Sequence, residues 1–130
     1  MFKVDDTFTE KFTVSNEIYH GFITLFKDQN PLHTDALFAT EKGFKAEVMH
    51  GNILNGFLSY FIGEGLPTKN VIIHSQEIQY KNPVYLNETL DFKATVIGFY
   101  ESVNAVEFKF DFKNPETKVV AKGKIQIGLL

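Results

Sequence analysis

Within eight residues, Asp28-Gln29-Asn30-Pro31-Leu32-His33-Thr34-Asp35, the chain gathers two carboxylates, two amides and an imidazole. Asp28 and His33 stand five apart across a proline-stiffened turn, close enough for both to reach one water. A carboxylate and an imidazole so placed can take a proton from that water and return it later in a cycle. Seventeen residues beyond His33 comes His50-Gly51, at the start of the most apolar helical stretch. The first N–H groups of a helix lack intrahelical partners and carry the positive end of its dipole. Glycine there lets a ligand approach, so the Gly51 N–H can receive a carbonyl oxygen as it turns to oxyanion. The chemistry these residues suit is acid–base work on a polarised carbonyl.

Blander readings stand beside that one. Asp, Asn and Pro are ordinary turn residues, and Asn30 before Pro31 can simply start a turn or orient one of the pair. Gly51 can serve only to ease a tight helix start. Asp35 fits the N-cap of a short helix through Leu37-Phe38-Ala39. Ser59 lies two turns into the apolar helix, where its hydroxyl can reach Asp28 or a substrate, or else bond back to a helix carbonyl. The four histidines, His20, His33, His50 and His74, show no metal-ligand spacing, so no metal is expected. No G-x-S-x-G, P-loop or G-x-G-x-x-G segment occurs.

Composition narrows the classes further. The 130 residues suit one domain spanning positions 1–130, and 44% hydrophobic content with 14 Phe supports a sizeable core. A net charge of −3 with scattered lysines makes nucleic acid a poor partner. The absence of cysteine excludes disulfides and thiolate chemistry and leaves the redox compartment open. No stretch reaches the ~18 apolar residues of a membrane span, and the polar start MFKVDDTFTE does not resemble a signal peptide. A soluble cytoplasmic protein is expected.

The elements that must hold these residues follow from periodicity. Thr7 to Val14 alternates as a strand, and Ser15 is an N-cap for a helix with Ile18, Phe22, Leu25 and Phe26 on one face, ended by Asn30-Pro31. A second helix, about Gly51 to Gly63, sets Ile53, Leu54, Phe57, Leu58, Tyr60, Phe61 and Ile62 on one broad arc and Asn52, Asn55, Gly56, Ser59 and Gly63 on the rest. That pattern predicts a helix enclosed by sheet. Four strands follow: Val71–Lys81; Thr89–Gly98; one carrying Val106, Phe108, Phe110 and Phe112; and one carrying Val119, Ala121, Gly123, Ile125 and Ile127. Without parallel crossovers the sheet is expected to be antiparallel. The fold class is α+β, a single hotdog domain whose antiparallel sheet wraps a long central helix.

Taken together, Asp28-x-Asn30-Pro31-Leu32-His33-x-Asp35, Phe38-Ala39, Phe44, Val48 and His50-Gly51 resemble the MaoC-like (R)-specific enoyl-CoA hydratase and 3-hydroxyacyl-thioester dehydratase family. The core of the resemblance spans residues 28–59, and a looser one runs through Tyr80-Lys81-Asn82-Pro83-Val84. It implies a hotdog fold, usually dimeric, with Asp28 and His33 as the acid/base pair. It also implies Gly51 as oxyanion donor, Asn30 as support for the loop, and Ser59 as a substrate-site serine. The implied reaction is reversible hydration of a trans-2-enoyl thioester, on coenzyme A or an acyl-carrier protein, to the (R)-3-hydroxyacyl thioester, with no cofactor. The family commonly carries Ser-Gly or Thr-Gly before the aspartate, whereas this chain has Phe26-Lys27, and Asn87-Glu88 replaces the usual Gly-Asp. Two rival functions remain at this stage: a hotdog acyl-CoA thioesterase, which usually places a carboxylate on the central helix, and a non-catalytic acyl-thioester binding module.

Overall fold

Residues 1–130 are described by a computed structural model. The elements are β1 (Thr7–Thr13), α1 (Asn16–Phe26), α2 (Pro31–Thr34), α3 (Ala36–Glu41), α4 (Asn52–Glu64), β2 (Val71–Tyr80), β3 (Thr89–Tyr100), β4 (Ala105–Lys113) and β5 (Val119–Leu129). The strands form one antiparallel sheet in the order β1-β3-β4-β5-β2. This is the expected sheet, with β1 and β2 at its edges.

Strand alternation sets the core. Leu90, Phe92, Ala94 and Val96 of β3 and Val106, Phe108, Phe110 and Phe112 of β4 are all buried, and the charged residues between them face outward. Against this face lies α4, which buries Ile53, Leu54, Phe57, Leu58, Phe61 and Ile62. Phe12 of β1 stacks on Phe57 at 4.6 Å, and Phe61 meets Phe92 at 4.9 Å, so aromatic contacts bind helix to sheet. Tyr60, expected within its apolar arc, is 52% exposed.

Two expectations about α1 need correction. Ser15 caps it as predicted, its hydroxyl accepting from the Ile18 N–H. The predicted apolar face, however, is largely bare: Ile18, Leu25 and Phe26 are exposed and only Tyr19 is buried. The helix touches α4 along a short contact. It also ends before Asn30-Pro31. Lys27 adopts the left-handed conformation (φ 66°), its N–H closing on the Ile23 carbonyl. Asn30 and Pro31 instead begin α2 as N-cap and first residue, a use of proline that sacrifices no helical hydrogen bond.

Candidate active site

The loop from α1 into α2 is built by its own side chains. The Asp28 Oδ1 accepts from the Asn30 N–H at 3.2 Å, and the Asn30 Oδ1 accepts from the Leu32 N–H at 2.9 Å. Asp35 then caps α3, accepting from the N–H groups of Leu37 and Phe38, as its sequence context predicted. The segment before α4 runs alongside α2, with the Val48 N–H donating to the Leu32 carbonyl at 3.0 Å.

That pairing aims His33. Its Nδ1 lies 2.7 Å from the Val48 carbonyl, which can only accept, so Nδ1 carries the hydrogen and the Nε2 lone pair is free. The free Nε2 faces the Asp28 Oδ2 at 4.0 Å. This is too long for a direct hydrogen bond but short enough for one water to touch both. Asp28 is half-exposed and His33 nearly covered, so the pair sits at the rim of a cleft. Tyr19, buried under α2, donates its hydroxyl to the His33 carbonyl and fixes the backbone beneath the imidazole. Burial raises the Tyr19 phenol above its ordinary range, and the negative charge of Glu47 adds to the effect.

The cleft has a volume of about 500 Å³ and is bounded by Asp28, His33, Gly51, Tyr80, Lys81 and Val84, among others. Gly51 immediately precedes α4, and its N–H donates to no backbone carbonyl. A Cβ on Gly51 would stand 2.8 Å from the Tyr80 ring, so any larger residue there would have to push that ring aside. The Tyr80 hydroxyl is in turn held by the Asn55 amide at 3.2 Å. A second cleft, between α1 and α4, shares Asp28, Asn52 and Ile53 with the first, and its walls include Ile18, Phe22, Leu25 and Phe26.

Of the residues singled out in the sequence, Asp28, His33 and Gly51 line one cleft, and Asn30 holds the turn below them. Ser59 does not join them. It is exposed on α4 and lines neither cleft, because a separation of seven from Asn52 carries it along the helix past the pocket. Sequence reasoning assigned His50 no role of its own. It is 3% exposed, its Nε2 donates to the Asp28 carbonyl at 2.9 Å, and its ring lies 4.0 Å from that of His33.

Asp28, His33 and His50 offer ligand atoms within 4.8 Å of one another, a spacing a metal ion can use. Their orientation does not suit one. The His33 Nδ1 and the His50 Nε2 are taken by main-chain carbonyls, and the His50 Nδ1 is sealed from solvent.

A sheet of this order packed on one apolar helix, with a carboxylate and an imidazole on the preceding loop, is a hotdog scaffold. The MaoC-like domain model matches residues 8–119, and the chain belongs to that family. Among its relatives, an (R)-specific enoyl-CoA hydratase of Rhodospirillum rubrum is 31% identical over 97 residues, covering 75% of this chain and 67% of that protein. A mitochondrial 3-hydroxyacyl-[acyl-carrier-protein] dehydratase of Arabidopsis thaliana is 28% identical over 127 residues, covering 95% and 75%. The (R)-hydratase from A. caviae involved in PHA biosynthesis superposes with a TM-score of 0.90 at 22% identity over 99% of this chain and 98% of its own, a likeness of fold.

Proposed function

We propose that this protein is a hydro-lyase that reversibly adds water across a trans-2-enoyl thioester, giving the (R)-3-hydroxyacyl thioester. The observation that carries the proposal is the 4.0 Å gap between the Asp28 carboxylate and the Nε2 of His33. One water held there has two proton-transfer groups on it. Its oxygen adds to C3, and Asp28 and His33 between them take its proton and return it to C2. Addition at C3 pushes electron density onto the thioester oxygen, for which the Gly51 N–H at the start of α4 is the donor. No external reductant, oxidant or metal enters this balance.

The names of the two relatives supply both carriers, coenzyme A and acyl-carrier protein, and the reading covers either. The apolar walls of the cleft between α1 and α4 suit an acyl chain. The thioesterase alternative finds little support on the central helix: Glu64, its one carboxylate, lies at the far end and pairs with Lys69. The 130 residues act as one domain in this reading, in the cytoplasm, which cell fractionation would test.

We also propose a homodimer. Nearly all of β2 is exposed although it contains Ile72 and Ile73. A second copy of the chain laid against this side would cover them.

The test is hydration of crotonyl-CoA, and of longer enoyl thioesters, followed by loss of enoyl absorbance. Asp28→Asn and His33→Ala should each lower turnover by about 100-fold or more with the fold intact. Near-wild-type rates in either variant would remove that residue from the mechanism. Tight acyl-thioester binding with no turnover on any chain length would leave a binding module, and release of free thiol a thioesterase.

A further inference from the structure

His50 is a buried polar residue that the proposed reaction does not use. Its ring lies between Phe22, at 4.6 Å, and His33, at 4.0 Å, and its Nε2 hydrogen is committed to the Asp28 carbonyl at 2.9 Å. Its Nδ1 has no partner in the chain and is sealed from solvent. Leaving a buried imidazole nitrogen unsatisfied is costly, and a hydrophobic side chain would fill the same space without that cost. The arrangement persists against that cost, so the ring's other contacts need an explanation.

We propose that His50 is a positioning residue that holds Asp28 and His33 in working register. It touches both members of the pair in different ways. The Nε2 hydrogen bond anchors the backbone of Asp28, the residue that follows the left-handed turn at Lys27 and is otherwise tied down only by its own side chain. The flat face supports the His33 imidazole, whose edge is already fixed by Val48. One rigid, buried ring on the segment leading into α4 thus couples the acid on the α1–α2 loop to the base on α2. Because Gly51 follows His50 directly, the same segment also sets where the oxyanion donor lies relative to the pair. A displacement of about 1 Å in such a constellation costs on the order of 100-fold in rate.

This inference rests on the hydration reading for its kinetic arm but not for its structural one. His50→Gln keeps a side-chain N–H for the Asp28 carbonyl, His50→Phe keeps the flat ring, and His50→Ala keeps neither. His50→Ala should lower kcat by roughly 100-fold with KM changed no more than about threefold. His50→Gln should recover a large part of kcat. Crystal structures should show the Asp28–His33 separation kept in His50→Gln and lengthened by about 1 Å in His50→Phe. If His50→Ala fails to fold, the Gln and Phe variants decide the matter alone. Wild-type kcat in the folded variants, or losses that follow melting temperature equally in all of them, would reduce His50 to core filling and overturn the proposal. If the wild type hydrates no enoyl thioester, the reaction assignment fails, while the Asp28–His33 separation still decides whether His50 positions the pair.

Discussion

Tyr19 shows how far the support of a site reaches below the groups that do its chemistry. Its hydroxyl donates to the His33 carbonyl, and its ring is buried against the core. Because burial, with Glu47 adding, holds the phenol proton more tightly in the folded chain than its ordinary value of 10.0, the unfolded chain loses that proton first as pH rises. Stability should therefore decline from about pH 10 upward, the window in which the unfolded state has ionised and the folded state has not. Tyr19→Phe should lose about 1 kcal/mol at neutral pH from the missing hydrogen bond. It should also lack this contribution to the alkaline slope. Urea melts of both proteins at neutral and alkaline pH would check the two effects. An unchanged slope in the variant would mean that other groups govern the alkaline side. That Asp28 and His33 come together was legible in the sequence because one short turn joins them. His50 was not, since its partner is a main-chain carbonyl 22 residues away, and backbone partners leave no trace in residue types.

At the scale of elements, the turn at Lys27 is where local preference and structure disagree. A lysine in the left-handed region meets a steric penalty that glycine avoids, and helix ends of this kind favour glycine for that reason. Lys27→Gly should raise unfolding stability by about 0.5–1 kcal/mol, the relief of strain being partly offset by the greater freedom of glycine in the unfolded chain. Chemical denaturation would show it as a higher midpoint with an unchanged slope. A lower midpoint would mean that the lysine side chain stabilises the turn by more than its backbone costs. The strands were readable because apolar residues alternate in β3 and β4 and those residues are buried. The apolar stripe of α1 was equally readable as a pattern yet misleading as burial, because periodicity shows which face is apolar and not what covers it. Ser59 illustrates the same limit: a helical wheel placed it on the polar strip, but distance along the axis took it past the cleft.

The whole molecule leaves part of its own core face uncovered. Ile73 of β2 pairs with Ile127 of β5, and side chains of directly opposed residues share one face of a sheet. Ile127 is fully buried beneath α4, whereas Ile73 on the same face is 39% exposed. The apolar face thus extends past the helix meant to cover it. Gln76, also on this side, donates to Asn55 of α4, so the helix is tied to the strand without filling the space. An edge strand with free main-chain groups and an open apolar face favours association with another chain. A symmetric pair would place the same patch of each copy against the other. Sedimentation should give a particle of twice 14.8 kDa. A charge at the exposed position, Ile73→Glu, should shift it to the monomer while leaving the circular dichroism of each protomer unchanged. A wild-type monomer at micromolar concentration would end the homodimer proposal and turn attention to a different partner for the same face. A variant that stays dimeric would move the interface to another exposed apolar surface, the face of α1 around Leu25 and Phe26.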